Sequence, residues 1–180
     1  KMRKALSVIS LILVFVFAFT ACDSKDKGPQ IEPQVTMEQV NTSGEYVARA
    51  YMESLFTDNR AMFDKCYPEG FLEQLGESSG DDLYSQYRSV LQIDAVVNGT
   101  ASTGYRDYSI ANGFDEAGMR SAICFVTGFE YSSIGRIQIQ KVTVYFSKDT
   151  ESASADFYYV VYEINGSWYM LEGCQKDVEF

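Results

Sequence analysis

The feature that constrains the fold most is a β-type pattern that extends from residue 137 to residue 171. In its first part, apolar and polar side chains alternate, and the apolar positions are Ile137, Ile139, Val142, Val144 and Phe146. Alternation with a period of two residues is typical of β-strands. The phase of the alternation changes once, and this change predicts a β-bulge near Gln140 and Lys141.

The second part of the pattern predicts a hairpin. Residues 157–164 are apolar at every position but one, which is typical of a central strand that is buried on both faces. The dipeptide Asn165-Gly166 follows, and it favours a type I′ turn because both central residues of that turn need a positive φ. Residues 167–171 form the returning strand. The predicted cross-strand pairs are Tyr162 with Tyr169, Val161 with Met170, and Val160 with Leu171.

Helices are predicted in the preceding part of the chain. The first begins at a capping box formed by Thr42 and Glu45 and ends at Asp58-Asn59. Apolar stripes at helical spacing lie within residues 47–55, 62–67, 71–75 and 83–91. The predicted boundaries of the third and fourth helices are Pro68, Gly76 and Asp81-Asp82.

The pattern between these helices and the sheet is weaker. Residues 98–104 are small and polar, and we interpret them as a loop that precedes a weak strand at 105–112. Asp115 is predicted to cap a fifth helix, whose stripe consists of Met119, Ala122, Ile123 and Val126. A strand through residues 123–129 is the competing interpretation, because two glycines weaken the helical pattern.

The start of the sequence has the parts of a secretory signal peptide. Lys1, Arg3 and Lys4 are basic, residues 5–19 are apolar, and Ala21 and Cys22 follow. A cysteine in this place resembles the signal of bacterial lipoproteins, which are cleaved before the cysteine and carry lipid on it. The resemblance implies a signal peptide at 1–21, a lipid on Cys22, and a location on the extracytoplasmic side of the cell membrane.

Two alternatives to a lipid anchor stay open. A membrane-spanning helix is the first, although the 15 apolar residues are fewer than the about 20 that such a helix needs. Secretion without lipid is the second, because Phe19 stands where the lipoprotein signal usually has an aliphatic residue. Residues 22–41 are polar and lack aromatic side chains, so they predict a flexible tether before a single domain at 42–180.

The composition excludes several classes of function. Cleavage after residue 21 removes three basic side chains and no acidic one, so 12 basic and 25 acidic side chains remain and the formal charge changes from −10 to −13. This charge argues against nucleic acid as a partner. The chain has no histidine, which excludes the usual Ser-His-Asp and Cys-His catalytic systems and histidine-bound zinc. We therefore predict no cofactor and no metal.

The three cysteines after Cys22 are Cys66, Cys124 and Cys174, and none belongs to a CxxC pair. Zinc binding and thioredoxin-type chemistry are therefore poorly supported. One disulfide with one buried thiol, or three buried thiols, both fit this number of cysteines.

Helices followed by a bent antiparallel sheet that ends in N-G-S-W-Y-M-L resemble the NTF2-like (cystatin-like α+β cone) superfamily. Residues 47–71 resemble the opening helices of its secreted bacterial members, and residues 164–171 resemble their closing hairpin. Together with the signal, the chain resembles lipoproteins of this group from Gram-positive bacteria. The resemblance implies an α+β fold, but little about activity, because such folds host enzymes, binding proteins and assembly modules.

The two faces of the predicted sheet suggest where a ligand would bind. One face carries Phe157, Tyr159, Val161, Trp168 and Met170, and the other carries Tyr158, Val160, Tyr162, Tyr169 and Leu171. One face must pack on the helices, and the other then needs a cover. We name the first set as the candidate pocket or interface, to be covered by a small ligand, a protein partner or a second copy of the chain in a homodimer.

The expected function is that of a membrane-anchored, non-enzymatic binding or interaction domain. The first alternative is a small isomerase or dehydratase with a carboxylate base in the cone pocket. The candidate residues for that chemistry are Asp94, Asp107, Asp156 and Tyr159. The second alternative is a structural module that helps to assemble the cell envelope.

Overall fold

The computed structural model describes residues 31–73, 82–91, 94–108 and 116–175. Its α-helices are α1 (Gly44–Phe56), α2 (Arg60–Lys65), α3 (Leu83–Val90) and α4 (Glu116–Thr127). Its strands are β1 (Val96–Asp107), β2 (Ile134–Lys148), β3 (Glu151–Ile164) and β4 (Ser167–Gln175), and they form one antiparallel sheet in the order β1-β2-β3-β4. The predicted α+β class is therefore confirmed. Several predictions lie outside the described residues: the signal peptide at 1–21, Cys22, the tether at 22–30, Gly76, Asp81, Asp115 and the side chain of Cys174.

The hairpin between β3 and β4 lies where the sequence predicts it. Asn165 and Gly166 have φ values of 51° and 85°, as a turn with two left-handed residues requires. Two predicted pairs are present, Tyr162 with Tyr169 and Val161 with Met170. The third prediction, Val160 opposite Leu171, is wrong because the register between the two strands shifts directly after the second pair.

The bulge predicted near residues 140–141 of β2 is also wrong. The ladder between β2 and β3 is continuous at this level, and the irregularity lies in the neighbouring strand β1, between Ser102 and Tyr105. The alternation in β2 changes phase because Gln138 and Gln140 are buried at core positions, with exposed fractions of 5% and 2%. The Gln140 Nε2 donates to the Gln138 Oε1 over 3.2 Å, so the two buried amides partner each other. Because these buried residues are polar, the sequence pattern alone did not reveal which face of β2 is buried.

Helices of the same chain cover both faces of the sheet. The first face, here called the α1 face, packs on α1 and α2 in a core that contains Val47, Tyr51, Phe63, Val142, Val144 and Val161. The second, here called the α4 face, packs on α4 through Ile123, with Ile137, Ile139, Val160 and Tyr162 around it. A cover on both faces explains why residues 157–164 are apolar at every position except Glu163.

Helix α1 begins one residue later than the capping box predicts. Ser43 is its N-cap, and the Ser43 hydroxyl accepts from the Tyr46 amide over 3.1 Å. The Thr42 hydroxyl instead donates to the Gln39 carbonyl over 2.7 Å. The competing strand at 123–129 is wrong, because α4 is helical up to Thr127.

Residues 98–104 are strand rather than loop. They form the middle of β1, where Thr100 is only 1% exposed and pairs with Val144. An edge strand tolerates small and polar residues and bulges, and Gly99 and Gly104 have φ values of 153° and 122° beside its two register shifts. Low β-propensity therefore concealed a strand that its neighbour holds in place.

The predicted tether is too long. Residues 31–41 lie against the domain, and Val35 and Val40 are buried with exposed fractions of 2% and 0%. Residues 31–35, here called the N-terminal strap, run beside β1, where the Glu32 amide donates to the Thr100 carbonyl over 3.3 Å. A tether that precedes the strap can therefore include at most residues 22–30.

Candidate functional site

The candidate pocket on the α1 face is core. Its members are Phe157, Tyr159, Val161, Trp168 and Met170, and all are between 0% and 8% exposed. The apolar stripe of α1 lies on them, and the Tyr159 hydroxyl donates to the sulfur of Met52. Burial raises the pKa of the Tyr159 hydroxyl well above its usual range. This face is therefore closed to a ligand or a second copy as the chain is folded here.

The structure does not bring the candidate catalytic carboxylates together. Asp94 and Asp107 are exposed at opposite ends of β1. Asp156 is also exposed, and it accepts from the Thr143 hydroxyl and pairs with the Lys141 ammonium, both over 2.7 Å. Because side chains alternate along a strand, Asp156 points to the α4 face while Tyr159 points to the α1 face. The four residues thus form no common site.

A groove lies at the β4 edge of the sheet. Its volume is about 520 Å³, within the range of small-molecule sites. We call this site the edge groove. Its lining residues are Asn41, Arg60, Asp64, Lys65, Tyr67, Pro68, Glu69, Gly70, Leu72, Glu73 and Tyr169. Tyr67 and Pro68 are buried, Tyr169 is half-buried and the charged residues are exposed, so the lining is a mixture of polar and apolar surface.

Asn41 and Cys66 build the groove by joining three segments that are distant in sequence. The Trp168 amide donates to the Asn41 carbonyl over 3.0 Å, and the Met170 amide donates to the Cys66 carbonyl over 2.9 Å. The Asn41 side-chain amide donates to the carbonyls of Trp168 and Lys65, over 2.8 and 2.9 Å. These bonds close the outer edge of β4 and hold the end of α2 beside Tyr169.

The two cations of the edge groove already have partners. Arg60 donates to Asp64 over 2.7 Å and to Asp82 over 2.8 Å, and its guanidinium lies 5.2 Å from the centre of the Tyr84 ring. The Lys65 ammonium donates to the Met37 carbonyl over 2.6 Å.

Two acidic residues of the edge groove are left without such a partner. Glu69 and Glu73 are exposed, and they form no ion pair with any cation of the described segments. The two cations and three carboxylates that line the groove give it a net formal charge of −1.

A second polar cluster lies at the opposite edge of the sheet and is structural. Arg49 is 2% exposed, and its guanidinium donates to Glu32, to the Pro33 carbonyl over 2.6 Å and to Glu53 over 3.3 Å. The Thr100 hydroxyl donates to Glu53 over 2.6 Å. Because the fold contributes every one of these partners, the cluster fastens the strap to the domain.

The described residues also bear on metal ligands, cysteines and membrane-spanning helices. The described residues contain no group of three or more Cys, Asp or Glu side chains that could hold a metal ion. Cys66 and Cys124 are free thiols, and burial raises the pKa of the Cys66 thiol far above its usual range. No helix among the described segments is both long and apolar enough to cross a membrane.

Sequence reasoning missed the edge groove. The turn at Pro68-Glu69-Gly70 was the one local signal, and it says nothing about Asn41 or Tyr169, which chain folding brings to the same place. A comparison with known proteins finds no matching family, no matching curated protein and no matching solved structure.

Proposed function

We propose that the protein is a lipid-anchored, extracytoplasmic binding domain without enzymatic activity, and that it holds a small ligand or a segment of a partner protein in the edge groove. The observation that carries this proposal is the groove itself, which is concave, combines aromatic with charged residues and lies at a sheet edge closed by other segments of the same fold. Ligand sites usually combine apolar and aromatic surface with a few polar groups.

The proposed anchor rests on residues 1–22, with their basic start, short apolar run and Ala21-Cys22. The strap supports a short link to the membrane. Eight residues lie between Cys22 and Ile31, and the nine steps from one Cα atom to the next span at most about 30 Å in an extended chain. The folded domain would therefore stay close to the lipid surface instead of moving freely above it.

The NTF2-like assignment is part of the proposal as well. The order of helices before and beside an antiparallel meander supports it, and so do the register shifts that bend β1. The α1 face, where such a cone would hold a pocket, is filled by Met52 and the apolar stripe of α1. The isomerase alternative needs a desolvated carboxylate within a pocket, and its candidate carboxylates Asp94, Asp107 and Asp156 are all exposed.

The anchor is tested with the variant Cys22→Ala. We expect the wild-type protein to incorporate a labelled fatty acid and to sediment with membranes, whereas Cys22→Ala incorporates none and is released. Cys124→Ala is the matched control, because it removes a half-buried cysteine of the folded domain and should not change sedimentation. Equal membrane retention of the wild type and Cys22→Ala would contradict lipid anchoring.

A further inference from the structure

The charges of the edge groove indicate which ligand it accepts. Asp64 is engaged by Arg60, and Lys65 is engaged by a backbone carbonyl. Glu69 and Glu73 are therefore the carboxylates that are left to meet a ligand. A ligand with a positive charge gains from both of them, although the nearby Lys65 ammonium offsets part of that gain.

The aromatic lining of the groove favours the same ligand. Tyr169 is a half-buried residue of the groove lining, and its ring packs beside Tyr162 on the α4 face, with 6.1 Å between the ring centres. An aromatic ring attracts an ammonium or guanidinium group placed near it, and its apolar surface accepts the methylene groups that carry such a charge. The size of about 520 Å³ is enough for one or two long side chains.

The net charge of the whole chain also favours cationic ligands. The formal charge of the chain is −10, and an excess of negative charge raises the local concentration of cationic ligands and speeds their association.

We propose that the edge groove binds a lysine- or arginine-bearing peptide segment of a partner protein, with Glu69 and Glu73 meeting its cationic side chains and Tyr169 packing against their methylene groups. This inference rests on the proposed binding function and names the ligand class for the same groove.

The test uses three fluorescent peptides and the full chain in non-ionic detergent. The peptides are tetralysine, the same peptide with acetylated side chains, and tetraglutamate, and fluorescence anisotropy reports binding. We expect tetralysine alone to bind, with an affinity that falls as salt is added because exposed ion pairs are screened. The double variant Glu69→Gln/Glu73→Gln should weaken this binding about tenfold, because two exposed ion pairs are lost and each of them is weak.

The matched control is the double variant Glu130→Gln/Glu151→Gln, which removes the same charge from two exposed residues outside the groove. It should retain wild-type affinity, and equal weakening by both double variants would overturn the site because net charge alone would then explain binding. If the acetylated peptide or tetraglutamate binds, and Glu69→Gln/Glu73→Gln does not change its affinity, the cationic ligand class would be overturned. The proposal that the protein is a binding domain would then still stand. Absence of binding by all three peptides would contradict both the ligand class and the proposed use of the groove.

Discussion

The two edges of the sheet are closed by different chemistry. At the β1 edge, the strap is held by a buried guanidinium, two carboxylates and a hydroxyl around Arg49. At the β4 edge, Asn41 and Cys66 close the strand with backbone and amide hydrogen bonds that involve no charge. An open strand edge invites pairing with other chains, and both devices prevent that.

The difference lies in what remains when one partner is lost. A buried ion pair that loses one member leaves an uncompensated charge, whereas a neutral hydrogen bond leaves a dipole. The charged closure should therefore be the more fragile of the two. The neutral closure also leaves space beside it, which is the edge groove.

The largest effect is expected for Arg49→Met. Glu53 has a side chain only 7% exposed, and without Arg49 its carboxylate keeps only the Thr100 hydroxyl and the Val35 amide as partners. We expect the free energy of unfolding to fall by about 3–5 kcal/mol, measured by urea denaturation. The double variant Arg49→Met/Glu53→Leu should recover much of this loss, because no buried charge is left unpaired. A loss below about 1 kcal/mol in Arg49→Met would show that water reaches the network.

A smaller effect is expected at the neutral edge for Asn41→Ala. The variant removes two donors, and the carbonyls of Trp168 and Lys65 lose these partners. We expect a loss of about 1–2 kcal/mol by the same denaturation. Asn98→Ala, on the exposed start of β1, is the control and should stay within about 0.5 kcal/mol of the wild type. Should Asn41→Ala prove more damaging than Arg49→Met, the contrast between the edges would be reversed.

The smallest effect is expected for Glu45→Gln and depends on pH. Partial burial and the nearby Glu32 raise the pKa of Glu45. The folded protein therefore binds the Glu45 proton more tightly than the unfolded chain does. Protonation of Glu45 stabilises the fold fully below the pKa of 4.5 that Glu45 has in the unfolded chain, and this stabilisation is lost as pH rises through the folded pKa. Glu45→Gln should therefore raise the Tm at pH 7 by up to about 2 °C and change it little at pH 3.

The control for this prediction is Glu130→Gln, which changes the net charge equally at an exposed position. If both variants raise the Tm by the same amount at pH 7, relief of net negative charge would explain the result, and Glu45 would have no special role at the strap.

The fold and the site differ in how much of them could be predicted. The hairpin at Asn165-Gly166 and the helix at 60–65 follow from signals within a few residues, a turn dipeptide in one case and an apolar stripe in the other. The buried amides of Gln138 and Gln140 could not be predicted, because their polarity suggests an exposed face. The same holds for residues 98–104, whose strand conformation depends on pairing with β2.

The sequence by itself determined the α+β class, the positions of most helices and the tight turn, because side-chain periodicity, caps and φ preferences act between near neighbours along the chain. Only the tertiary structure decided that both sheet faces are covered, that the strap belongs to the domain and that Asn41, Glu69 and Tyr169 line one groove. Those features need contacts between residues far apart in sequence, and such contacts depend on how the helices and strands pack together, which no local pattern specifies.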